Sequence, residues 1–316
     1  MSVRSATRWR SGALAGALAL GLSACTLFDG VPARVSTRAQ PTLWRARASG
    51  SGTCYLLGAL HLGTPGQPDL GAAVEWAYAR ADELVLDADP EALDAGEASR
   101  LSERYGRILP PTRLSDRLRP ETATLLRTYL DRRGLAPAAF GQLEPWLVAS
   151  TLSMLELRRL GYEPHLGLER QLARRARPQK PIVELETVES QLASLSALPI
   201  PVQDRMLHDF LEGSGAIAAE TGQLIAAWQR GDDREVARIV FRQLAGDPDV
   251  RLFYDRVLFA RSERMAAHLA RLAEDGKTRL VVVGAAQMLG ERGIPALLAT
   301  RGFDVVRIVG SEREAG

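Results

Sequence analysis

Two rhythms divide the chain. Short apolar runs of strand length lie toward both ends, at residues 42–48, 53–60, 83–88, 181–186, 279–284 and 303–309. Between them the apolar positions recur every three to four residues, which is helical spacing. The run from Cys54 to Leu60 is too short for a globular helix and is closed by Gly63, Pro65 and Gly66, so a buried strand is expected. Thr278–Gly284 has the same form and is the clearest buried strand. The stretch Leu43–Ala48 alternates and is followed by Ser49-Gly50-Ser51-Gly52, a hairpin signal into the Cys54 strand.

Helices are predicted in the intervals. Asp69 can cap one running to about Ala81, and another extends from Pro90 toward Tyr105, with proline in its first turn. Helical period continues from Thr112 to Ala176, and again from Val188 to Ala273 with breaks near Pro199-Ile200-Pro201 and Gly246-Asp247-Pro248. A short helix is expected over about 290–301. Strands contributed by the two ends and a helical middle predict an α/β fold: a single mixed sheet carrying a large helical insertion.

The first residues read as an address. Arg4, Arg8 and Arg10 precede an apolar run from Ala13 to Leu22, and Leu22-Ser23-Ala24-Cys25 follows. This pattern is an export signal, and a cysteine after Leu-Ser-Ala is similar to a bacterial lipobox. The expected organisation is a signal peptide at 1–24, a lipidated tether at 25–41 and one domain at 42–316. Lipidation of Cys25 predicts a membrane partner on the periplasmic face of the envelope. Thr26 is no aspartate-type retention signal, which favours the outer membrane. Losing the three arginines takes the formal charge from +2 to −1. The remaining arginines are scattered and not interleaved with aromatics, so no nucleic-acid partner is expected. With Cys25 lipidated, Cys54 stands alone and is read as core.

Candidate chemistry collects where strands end. His61, Asp87, Glu186 and Gln287 each stand at or just past the C-terminal end of an apolar run, and Gly58/His61 and Gly284/Gln287 repeat one spacing. In open α/β sheets that edge is where sites are built. A histidine among carboxylates is the vocabulary of a metal site or of acid–base work. His165, His208 and His268 fall in a loop or on charged helical stretches and are read as surface or half-buried, and Arg261 as a helix-surface ion pair. No phosphate-cradling loop, nucleotide fingerprint or serine elbow is present.

The motifs then converge. Tyr55–Gly63, with its Gly58-x-x-His61, Ala81–Asp87, Glu144-Pro145-Trp146, Gly167-Leu168-Glu169, Leu185-Glu186-Thr187 with Glu189 and Gln191, Trp228 with Gly231-Asp232, Val283–Gly290, and Leu297 with Arg301-Gly302-Phe303 occur in a characteristic order. From Leu43 to Ile308 the chain resembles the TraB/GumN family, which includes the TIKI metalloproteases. For those members the resemblance implies metal-dependent hydrolysis of peptide or protein substrates, with two G-x-x-H histidines and a glutamate at the core. Carried onto this sequence, His61 and Asp87 are the candidate metal ligands, and His61, Asp87, Glu186 and Gln287 the candidate catalytic set. Two departures weaken a divalent metal here. The second motif ends in Gln287, a poor substitute for imidazole on zinc. Asp87 stands for the glutamate, shifting its carboxylate by about 1.5 Å, and a misplacement on the order of 1 Å can cost about a hundredfold in rate. Two readings follow: an envelope hydrolase with an impaired metal site, or an inactive relative that binds or assembles partners there.

Overall fold

The computed structural model describes residues 39–66, 70–89, 91–244 and 246–308. Cys25 and Asp69 lie outside the described residues, as does Pro90. All six expected strands form and belong to one sheet: β1 (Leu43–Arg47), β2 (Thr53–Ala59), β3 (Glu83–Leu86), β4 (Ile182–Glu184), β5 (Thr278–Gly284) and β6 (Asp304–Ile308), in the order β4-β3-β5-β2-β1-β6. The four strands β4, β3, β5 and β2 are parallel. β1 runs antiparallel to both β2 and β6. The sheet is therefore mixed, with its parallel part ending along one edge.

Period-two alternation assigns the faces. Tyr55, Leu57, Leu84, Leu86, Leu280 and Val282 pack against α1 (Gly71–Arg80) and α5 (Leu168–Ala176). Leu56, Val85, Val281 and Val283 face the opposite layer, α11 (Ala260–Leu272) and α12 (Ile294–Ala299). The rest of the helices make the insertion. Between β3 and β4 come α2 (Ala95–Gly106), α3 (Pro120–Arg133), α4 (Pro145–Arg159) and then α5. Between β4 and β5 come α6 (Val188–Ser196), α7 (Ile200–Gly213), α8 (Ile217–Gln229), α9 (Asp233–Val240), α10 (Pro248–Tyr254) and α11. Trp146, Leu152, Leu207, Phe210 and Leu258 centre a separate core that joins these helices. Among the described residues no helix is long and apolar enough to cross a membrane.

Two boundaries differ from expectation. α2 starts at Ala95 because Asp94 caps it, its side chain accepting from the Glu97 amide. The last helix contracts to Ile294–Ala299, since Gly290 adopts φ 72° and Pro295 sits in the first turn. Gly58 is needed where it stands. A Cβ there would lie 2.9 Å from Ala285 Cα, so its absence lets the turn after β5 pass against β2.

Candidate acid–base site at the sheet edge

Parallel pairing fixes what can meet. Ala59 is level with Gly284, and Leu86 with both Val282 and Glu184. The residues that follow β2, β3 and β4 thus emerge along one edge, and His61, Asp87 and Glu186 are among them. His61 turns sharply off its strand with φ 53°, the one left-handed non-glycine residue among those described. For a histidine that conformation is strained, and such strain gathers at functional positions.

The imidazole lies between two carboxylates. His61 Nδ1 is 3.3 Å from Glu169 Oε1, and Nε2 is 4.0 Å from Asp87 Oδ2. Glu169 stands in the first turn of α5, where the helix dipole favours negative charge. Gly167 makes its approach feasible, because a Cβ there would meet the Glu169 carboxylate at 2.6 Å and the His61 carbonyl carbon at 2.9 Å. His61, Asp87 and Glu169 are 7%, 4% and 2% exposed. Even so, His61 Nε2 and both Glu169 oxygens lack a well-aligned hydrogen bond. Buried polar atoms are nearly always paired, so three orphans in one cluster call for a cause.

Arg261 completes the cluster. It is 2% exposed, so the expected surface ion pair is corrected to a buried one. Leu258, Arg261, Met265 and Leu269 lie on one buried helical stripe, whose Met265 and Leu269 pack against the sheet and whose Leu258 packs into the helical core. Arg261 Nε donates to both Glu186 oxygens at 2.9 and 3.1 Å, and Nη2 also contacts Glu186 Oε1. Nη2 reaches Asp87 Oδ2 at 3.9 Å. Gln191 Nε2 donates to Glu186 at 2.9 Å, so Glu186 is engaged from two sides.

Gln287 stands apart from these contacts. Its Oε1 accepts from the Gly284 amide at 2.9 Å, and its Nε2 faces Met265 sulfur at 3.3 Å. The oxygen serves the turn after β5, and the nitrogen faces α11. The other histidines lie elsewhere: His165 is exposed near Glu163, His208 is beside Asp209 and Glu212, and His268 Nδ1 is 3.3 Å from the Leu185 carbonyl. Burial alone would depress the His61 pKa, but Glu169 and then Asp87 outweigh it and raise the value above 6.5. Burial also raises Asp87 above 3.8, and His61 and Arg261 offset this only in part.

A catalytic zinc needs three protein ligands and an open position. His61 Nε2 and Asp87 Oδ2 could supply two. Glu186 is held by Arg261 and Gln191, and Gln287 by its own turn. A guanidinium 3.9 Å from Asp87 Oδ2 would also repel a divalent cation. The donor set does not fit a zinc centre, and among the described residues no three His, Cys, Asp or Glu side chains are arranged to hold a metal ion.

The molecule is therefore an α/β protein with a histidine–carboxylate cluster at the open edge of a parallel sheet. The chain belongs to the TraB/PrgY/gumN family, whose pattern matches residues 42–307. It is 29% identical over 147 residues to YbaP of Escherichia coli K12, described as an uncharacterized protein, and to the Shigella flexneri protein of the same name. The match covers 46% of this chain and 52% of each relative, so the chain spans about half the length of the curated relatives it matches. No solved structure matches the chain.

The sequence carried Glu169 within a motif but assigned it no role. Its signal is a glycine just before a helix start with a carboxylate in the first turn. The signal for Arg261, passed over by the surface reading, is its place in an apolar helical stripe.

Proposed function

We propose that this chain is an envelope-tethered, peptidase-like hydrolase in which acid–base chemistry at His61, Asp87 and Glu169 stands where TIKI metalloproteases use a metal. The observation that carries the reading is the orientation of His61, with Nδ1 against Glu169 and Nε2 unpartnered toward Asp87. Facing a carboxylate, Nδ1 keeps its proton and leaves the Nε2 lone pair as the base. One water, with two hydrogen bonds of about 2.8 Å, can bridge the 4.0 Å gap between Nε2 and Asp87 Oδ2. Its proton passes to Nε2, its oxygen attacks the substrate carbonyl carbon, and Nε2 then returns the proton to the leaving amine as the C–N bond breaks, with Asp87 orienting the water. Arg261, itself held by Glu186, lies 3.9 Å from Asp87 Oδ2 and offsets its charge.

The test is turnover of unstructured peptides with and without chelator, alongside metal content. Expected are turnover that persists in chelator and a fall of about a hundredfold or more in His61→Ala. Stoichiometric zinc whose removal abolishes turnover would refute the acid–base reading. Gln287→His is expected to recruit no zinc, because the Arg261 guanidinium beside Asp87 still repels a divalent cation. A second reading, a binding or assembly protein at the envelope, is favoured by the inward engagement of Gln287 and Glu186. Saturable peptide binding without turnover would select it. The tether rests on Cys25, and fatty-acid label that persists in Cys25→Ala would remove that part.

A further inference from the structure

We infer that the apolar cleft beside His61 is a recognition pocket for one bulky aliphatic or aromatic side chain of a peptide. This deepens the hydrolase reading and rests on it for the substrate class. The cleft is walled by Leu60 and Leu62 after β2, Leu168 on α5, Ile225 and Trp228 on α8, and Leu70 before α1. Not one of its lining residues carries a charge. A charged group entering it would lose hydration with no partner to replace it, whereas an apolar group would gain. Leu62, Leu70, Ile225 and Trp228 are only half-buried, so the walls present a contiguous apolar surface to a ligand.

Backbone pairing is already used at the rim. Gly63 and Glu163 exchange hydrogen bonds of 3.0 and 2.7 Å, so the cleft recognises through side-chain burial rather than strand addition. Trp228 is a fixed wall, because its indole Nε1 donates to the Gly58 carbonyl at 2.7 Å, at the end of β2. The cleft adjoins the segments that carry the acid–base cluster. His61 stands between Leu60 and Leu62, Glu169 follows Leu168, and Gly167 lets the start of α5 close against the His61 backbone.

The test uses the full-length chain, purified in detergent, and two unstructured peptides that differ only by leucine or serine at one central position. Binding is read by calorimetry and by indole fluorescence, with Trp228→Phe assigning the signal. The leucine peptide is expected to bind about tenfold to a hundredfold tighter. Ile225→Trp, or Leu70→Phe should the larger ring disturb folding, is expected to bring that ratio close to one. His61→Ala should leave the ratio intact. Equal affinity for the two peptides, binding of neither, or a ratio that survives both cleft-filling variants would overturn the inference. Selective binding without turnover would fault the hydrolase reading and leave the pocket standing. Turnover without selectivity would do the reverse.

Discussion

The two ends of β3 and β5 each hold buried charge, and they treat it oppositely. At the N-terminal ends, Arg279 is 1% exposed and every branch of its guanidinium is engaged. It donates to Glu83 Oε2 at 2.9 Å, to the Leu272 carbonyl at 2.6 Å, and through both terminal nitrogens to Asp275. Lys277 adds a second cation to Glu83. At the C-terminal ends, His61 and Glu169 are as deeply buried but leave three polar atoms orphaned, on a backbone held at φ 53°. A buried ion pair contributes to folding only when its hydrogen bonds are complete. The first cluster meets that condition and behaves as structure. The second does not, and orphaned atoms with local strain mark groups kept for a task other than stability.

The largest expected effect is therefore at the end without chemistry. Arg279→Met should cost about 3 kcal/mol, because it removes the most deeply buried cation of the cluster and leaves Glu83 Oε2 without its donor, with only Lys277 still paired to that carboxylate. Urea midpoints at constant m-value would measure it, and a loss below about 1 kcal/mol would erase the contrast. At the other end Glu169→Gln should stay within about 1 kcal/mol of wild type, since the carboxylate it removes lacks well-made bonds. There the backbone gives the sharper probe. His61→Gly should be about 1 kcal/mol more stable than His61→Ala, because only glycine adopts the left-handed turn without strain. Equal stability of the two variants would show that the turn stores none.

One side of this contrast was legible in the residues: the strand ends that carry His61 were, and the Arg279 cluster was not. Six strands could be read because each apolar run is short and closed by glycine, proline or a polar residue, and parallel pairing of four of them brought His61, Asp87 and Glu186 to one edge. Pairwise commitments could not be read. Gln287 has the spacing of a ligand, yet its amide caps its own turn, which depends on how closely β2 and the turn after β5 pack at Gly58. Arg261 has the composition of a surface residue and reads as one; the signal of its burial, a place between Leu258 and Met265 on an apolar helical stripe, does not enter that reading. Glu169 is more than a hundred residues from His61, and no local period links them.

Acidity should separate the two ends next. His61 and Asp87 both bind protons more tightly when folded, because Glu169 and Asp87 face the imidazole and burial disfavours the Asp87 charge, with Arg261 opposing in the first case and assisting ionisation in the second. A group raised on folding stabilises below its unfolded value and loses that contribution as pH rises through the folded one. Stability from this end should thus decline above the ordinary values of 3.8 for Asp87 and 6.5 for His61. Asp275 has the opposite sign. Arg279 and the Lys277 amide hold its carboxyl well below the usual range, so its contribution is present above 3.8 and is lost only as acid reaches the depressed value. Urea midpoints at pH 6 and 8 should fall more steeply in wild type than in His61→Ala. Parallel lines would mean that His61 does not gain protons on folding.

The smallest effect belongs to Cys54, which lies in register with Arg279 and is fully buried at the structural end. Burial pushes its thiol up to about 11, although the Arg279 charge pulls the other way. At pH 8 the thiolate fraction is then about one in a thousand. Alkylation can proceed only through opening of the sheet, so its rate reports that opening where opening and closing are fast. Arg279→Met, at about 3 kcal/mol, should accelerate labelling by roughly a hundredfold. His61→Gly should leave it within about threefold, because strain relieved at one end of the strands does not loosen the other. Acceleration by both variants to the same degree would mean that the sheet opens as one unit from either edge, and the division between a structural end and a chemical end would then describe bonding but not stability.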